Sequence, residues 1–144
     1  MKECDIMFGH NPLGIPMDNN LLISSSPQEF VQKWLDPVGP QDASAITALY
    51  LSDGVLLGTV AKKIKYGLNE IRSYFDMFVK KKPCGVITEI SSKVYQNIAI
   101  VNGTYVFELT DNGATIQVPA RFTFVLNNMN GNWKIDTHHS SAQP

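Results

Sequence analysis

From Thr104 to Leu109 the chain reads Thr-Tyr-Val-Phe-Glu-Leu, and from Arg121 to Leu126 it reads Arg-Phe-Thr-Phe-Val-Leu. Both runs alternate with a period of two and use the β-branched and aromatic residues that suit a pleated, half-buried surface. In the second run Phe122, Phe124 and Leu126 share one face, while Arg121, Thr123 and Val125 share the other. Working outward, Val86 to Ile90, Ala99 to Val101 and Trp133 to Ile135 favour strands for the same reason. Asn102-Gly103, Asp111-Asn112-Gly113 and Asn128 to Asn132 punctuate these runs with turn residues. The expectation is an antiparallel meander filling the chain after Pro83.

Before Pro83 the period is helical. Leu68, Ile71, Phe75, Phe78 and Val79 fall on one face of a helix over residues 67–81, with Asn69 and Glu70 in its first turn and Pro83 blocking continuation. Lys80-Lys81-Lys82 sits where cations meet the negative end of that helix dipole. An earlier helix starts at Ser26-Pro27, an N-cap followed by proline at the first helical position, and carries Phe30, Val31, Trp34 and Leu35 toward Pro37 and Gly39. The next begins around Gln41-Asp42 with Ala45, Ile46, Leu49 and Tyr50 on one stripe and is expected to end at Asp53-Gly54, before a short strand at Val55 to Leu57. Helices first and strands last predict an α+β fold with the helices on one face of the sheet.

A chain of 144 residues with 44% hydrophobic content is the size of one domain with one core. Residues 1–25 hold Gly9, Asn11, Pro12, Gly14, Pro16, Asn19 and Asn20, too much punctuation for a helix or strand, so they read as an N-terminal extension to a domain over 26–144. Twelve Lys+Arg against thirteen Asp+Glu give a net charge of -1, and no global field draws the protein to nucleic acid or an anionic membrane. No stretch reaches the roughly 18 to 20 apolar residues that span a bilayer. With no signal-peptide pattern at the start, the expected location is cytoplasmic. Cys4 and Cys84 form no metal-ligand spacing, and no structural disulfide is expected from them.

The segments ALYLSDGVLLGT, GLNEIRSYFDMFVKKKP, GTYVFEL, VPARFTFV and GNWKIDTHHSSAQP, in that order, resemble the nuclear transport factor 2-like superfamily. More narrowly the chain is similar to its SnoaL-like, SgcJ/EcaC-type members and to the association (hub) domain of calcium/calmodulin-dependent protein kinase II. The resemblance covers residues 28–144 and implies a cone-shaped, curved antiparallel sheet with helices on its concave face, a cystatin-like arrangement. It also implies a pocket at the wide end and a homodimer formed through the sheet. Because both sheet faces carry apolar side chains, that dimer is expected to bury Phe122, Phe124 or their register partners.

Candidate ligand-binding residues follow partly from the residues and partly from the resemblance. Arg121 interrupts an apolar strand, where a guanidinium must be paired, hydrogen-bonded or solvated, and it matches a pocket arginine of the hub domain. Its structural alternative is an ion pair with Glu108 or Asp136. Tyr105 stands where the hub has a second pocket arginine, which weakens a doubly cationic acid site. Arg72 matches a further hub arginine, with solvation on the helix surface as the alternative. His138 and His139 are neighbours on a strand, so they point to opposite faces and cannot share a metal ion. With residue 127 opposite 132, Arg121 falls opposite His138 and near Asp136, and a slip of one residue reverses the faces.

These residues support two functions. One is a ligand-binding and dimerisation module for a small polar or acidic molecule, built around Arg121, Tyr105, Arg72, His138 and His139. The other is a cofactor-free isomerase, cyclase or hydrolase, with Asp136 or His138 as base and Tyr105, Tyr66 or Tyr74 as hydrogen-bond donor. The first is preferred, because the tyrosine-plus-two-aspartates pattern of ketosteroid isomerases is not matched. No GxGxxG opens a helix, so no nucleotide cofactor is expected, nor any metal. The expected partners are a second copy of the chain and a small molecule.

Overall fold

Ser26 opens the first helix with a reciprocal cap. Its hydroxyl accepts from the Glu29 amide at 3.1 Å, and the Glu29 carboxylate accepts from the Ser26 amide at 2.8 Å. The computed structural model describes residues 26–38 and 41–144; the expected extension over residues 1–25 lies outside the described residues. Helix α1 (Pro27–Val38) buries Phe30, Val31, Trp34 and Leu35, the face that its 3.6-residue spacing predicts.

Helix α2 (Ala43–Thr47) starts at its Asp42 cap, whose side chain accepts from the Ala45 amide at 3.0 Å. It stops well before Asp53-Gly54. The carbonyl of Leu49 accepts from the amide of Ile135, which draws the chain into the sheet, and strand β1 (Tyr50–Leu57) begins immediately after. Asp53-Gly54 is therefore an irregularity inside a strand rather than a helix stop, and the pairing shifts between Tyr50 and Val55. A two-residue strand β2 (Lys65–Tyr66), absent from the sequence reading, leads into helix α3 (Gly67–Phe78), and a 3₁₀ turn over Val79–Lys81 completes the predicted segment.

Four long strands follow: β3 (Cys84–Tyr95), β4 (Ile98–Asp111), β5 (Ala114–Met129) and β6 (Asn132–Ala142). The sheet order is β2-β1-β6-β5-β4-β3, antiparallel throughout except that β1 runs parallel to β6. Asn112-Gly113 and Asn130-Gly131 make the tight turns that their left-handed φ values of 51° and 81°, and 56° and 88°, require. Asn102-Gly103 makes none. It lies mid-strand in β4, with Gly103 paired to Ile90 and Phe122, and the β3–β4 turn falls instead at Gln96, with φ of 57°.

The sheet curves without closing, and α1 and α3 lie against its inner face. Phe122 at 4% exposure and Phe124 at 0% belong to the core of the single chain. They are consumed by folding and are not available for a dimer contact, which corrects that expectation. Cys84 is buried at the start of β3, and the expectation of no structural disulfide turns on a residue outside those described. The only other cysteine, Cys4, lies outside the described residues.

Candidate functional site

Alternation along β6 is broken once, and that break sets the site. Val125 pairs with Thr137 and Leu126 with Ile135, so Asp136 is the extra residue of a bulge. Ile135 and His138 consequently both face inward, followed two residues later by Ser140, and all three are buried. His138 lies flat on Phe124, ring centroids 3.9 Å apart, and meets the edge of Trp34 at 5.0 Å.

A continuous chain of hydrogen bonds runs through this imidazole. The Trp34 indole N–H donates to the Tyr50 hydroxyl at 3.1 Å, and that hydroxyl lies 2.9 Å from His138 Nδ1. The Tyr105 hydroxyl lies 3.2 Å from His138 Nε2 and donates to Ser140 Oγ at 2.7 Å. Ser140 Oγ in turn is 2.6 Å from Thr59 Oγ1. One proton arrangement satisfies every member. Tyr50 accepts from Trp34 and spends its own proton on Nδ1, so Nε2 carries the imidazole proton and donates it to Tyr105.

Burial enforces that neutral state. Desolvation, with a smaller contribution from the neighbouring His139, lowers the His138 pKa from 6.5 to about 3. The Tyr105 and Tyr50 hydroxyls are pushed well above their ordinary value, also by desolvation first. The whole chain is therefore uncharged at neutral pH, with its basic nitrogen already occupied. A small cavity of about 20 Å³ adjoins it, lined by Trp34, Tyr105, His138, Ser140, Thr59 and aromatic side chains including Tyr74 and Phe78. That is room for about one water molecule. Tyr74 closes its outer side: a Cβ on Gly58 would overlap the Tyr74 ring, and the backbone of Val60 and Thr59 hydrogen-bonds its hydroxyl.

The structure brings Tyr105, His138 and Tyr74 to one cavity and leaves the other sequence candidates elsewhere. Arg121 is exposed on the outer sheet face, between Thr104 of β4 and Ser141 of β6, because the hairpin closes with Met129 opposite Asn132 and then bulges. The expected register, with Arg121 opposite His138, is corrected by that turn and that bulge. His139 is exposed on the same outer face, opposite Thr123. Arg72 is a surface residue of α3, 47% exposed and paired with Asp76 at 2.9 Å. The Asp136 carboxylate accepts from the Thr137 hydroxyl at 2.9 Å and does not line the cavity. Tyr66 is 60% exposed.

Four members of the site escaped the sequence reading. Ser140 had a signal, since it lies two residues from His138 and shares its face. Trp34 was readable only as core, Thr59 as loop, and Tyr50 as part of a helical stripe. The bond joining Tyr50 to His138 spans 88 residues, a distance over which no local pattern reports. Among the described residues no group of three or more His, Cys, Asp or Glu side chains is placed to hold a metal ion. Nor is any described helix long and apolar enough to cross a membrane.

A helix-lined, curved sheet with a polar cluster buried in its concavity defines the nuclear transport factor 2-like, cystatin-like class. Within that class, residues 27–144 match the family model of the calcium/calmodulin dependent protein kinase II association domain, and the chain belongs to that family. A Xanthomonas campestris structure assigned to the same association domain is 38% identical, with a TM-score of 0.77, covering 81% of this chain and 85% of that one. A ketosteroid isomerase-like protein from Erwinia carotovora atroseptica shares the fold at 18% identity and a TM-score of 0.70, covering 81% of this chain and 94% of its own. An NTF2-like protein with a cystatin-like fold from Novosphingobium aromaticivorans does so at 13% identity and a TM-score of 0.67, covering 79% and 77% respectively. No curated protein matches the chain.

Proposed function

We propose that the chain is a small-ligand-binding and dimerisation module whose ligand is a small, uncharged polar molecule taken in at Tyr105, His138 and Ser140. The observation that carries this reading is the buried run of hydroxyl and imidazole groups beside an aromatic-walled cavity, the mixture from which small-molecule sites are built. Its uncharged state favours neutral ligands over acids, since no Lys or Arg lines the cavity. Entry requires Tyr74 to swing from Gly58, because the closed cavity holds about one water. Acid–base catalysis is the weaker reading: His138 has a tyrosine within reach, but its free nitrogen is engaged by Tyr50 and its pKa lies near 3.

Thermal shift measurements with small amides, alcohols and carboxylic acids test this. A neutral ligand at 100 times its dissociation constant should add about 2.7 kcal/mol of stability. That gain should vanish in Tyr105→Phe and in Ser140→Ala, and persist in Arg121→Met. The proposal fails if no neutral compound stabilises the protein, or if Tyr105→Phe responds as the parent does.

The dimer is proposed to form through the outer sheet face. No described helix covers it, and the half-buried Val106 and Val125 lie there among Thr104, Arg121 and Thr123. An interface on the order of 1,600 Å² is expected. Light scattering should show a dimer at micromolar concentration, broken by Val125→Asp. A monomeric parent protein sinks this part of the proposal.

A further inference from the structure

A second hollow opens on the described surface, apart from the buried cavity. It lies between the loop after β1 and helix α3, has a volume of about 480 Å³, and falls within the range of small-molecule sites. Part of its wall is apolar. Val60 and Met77 line it at 47% and 63% exposure, and such large hydrophobic side chains in a concave setting gain by being covered. Tyr74 and Phe78 form its floor and are also the outer wall of the buried cavity, so the two spaces lie on opposite sides of the same two rings.

Its rim is cationic. Lys65, Lys80 and Lys81 all line the groove against one carboxylate, Asp111. Asp111 is engaged by Lys81 at 3.5 Å, and Lys65 and Lys80 form no ion pair among the described residues. The lysine run that reads in sequence as a simple helix terminus thus delivers two of its ammonium groups to a hydrophobic hollow, and β2 delivers a third from the facing side. Two cations with no ion-pair partner among the described residues, set beside an apolar wall, select a molecule that is itself divided between anion and hydrocarbon.

We propose that this groove binds an amphipathic carboxylate, with its head at Lys65 and Lys80 and its apolar body along Val60 and Met77. The site is distinct from the cavity around His138, with which it shares the Tyr74 and Phe78 rings, and takes a ligand of different character. The volume accommodates a chain of about eight carbons, and neither half of such a molecule satisfies the groove alone.

Octanoate, 1-octanol and acetate make the test, followed by methyl and amide NMR on the full chain. Octanoate should shift the Met77 methyl and Val60 signals, leave the His138 ring signals in place, and bind at least about tenfold more tightly than either fragment. Its affinity should fall as salt is raised, and should drop about tenfold or more in Lys65→Met/Lys80→Met. Met77→Glu, another surface change, should lose binding by the same measure. Three results overturn the proposal: octanol binding as well as octanoate, the double lysine variant keeping its affinity, or Met77 staying unshifted at about 10 mM octanoate, a concentration weaker than any useful site. If small neutral ligands move His138 while octanoate leaves Met77 unmoved, the groove falls and the cavity stands; the reverse pattern separates them the other way.

Discussion

Replacing Gly103 with alanine is expected to destabilise the protein by about 3 kcal/mol, the upper part of the range for overpacking that forces backbone to move. A Cβ at this position would overlap the carbonyl oxygen of Glu89 and come within 2.7 Å of the Phe122 ring. The ring alone would yield by rotating. The carbonyl belongs to β3, at the bulge between Ile87 and Glu89, and it cannot move without disturbing the strand pairing around it. Phe122 stacks on Tyr105 at 4.6 Å, so the disturbance also reaches the buried hydrogen-bond chain. Gly113 is the control. It has φ of 81° and nothing within 4 Å of its would-be Cβ, so alanine there meets only the left-handed penalty of about 1 kcal/mol. Urea unfolding of both variants checks the difference, and equal costs would mean that Gly103 occupies an ordinary turn after all.

The stability of the fold is expected to fall steeply in mild acid, with His138 as the principal single cause. Its imidazole takes a proton near pH 6.5 in the unfolded chain but only near pH 3 in the folded one. Between those values the unfolded state holds the extra proton, so stability rises with pH. The contribution is complete above pH 6.5 and is lost as the pH drops toward 3, by up to about 1.4 kcal/mol per pH unit. The groups around the ring offer an imidazolium no negative charge: Tyr50 and Tyr105 stay protonated, Trp34 and Phe124 are uncharged, and His139 repels. Unfolding measured at about pH 7.5 and about pH 4.5 should differ by roughly 2 to 3 kcal/mol more in the parent than in His138→Gln, which retains a neutral polar group but cannot titrate. Parallel pH profiles in the two proteins would place the acid sensitivity elsewhere.

These two residues also mark how far local pattern reaches. Strand periodicity identified the inner face of β5 correctly, and Phe122, Phe124 and Leu126 are all core. The same rule separated His138 from His139. Whether His138 or its neighbour would face inward depended on the register of the β5–β6 hairpin, and one bulged residue, Asp136, set that register. Arg121 was misplaced for the same reason. An arginine between apolar residues suggests a buried cation, whereas the sheet simply leaves every second residue of β5 outside.

By itself the sequence determined the α+β class, the cap and face of α1, the Ile71, Phe75 and Phe78 face of α3, and the Asn-Gly turns after Asp111 and Met129, because these are written in contacts a few residues apart. Only tertiary structure decided that Tyr50 leaves a helical stripe to start a strand, that Gly103 marks a close approach of β3, and that Lys80 and Lys81 border an apolar groove. The meeting of Trp34, Tyr50, Tyr105, His138 and Ser140 belongs to the same class. Each of these depends on which distant strand or helix lies alongside, and that is fixed by the sheet order, the parallel pairing of β1 with β6 and a single bulge rather than by any residue's neighbours in the chain.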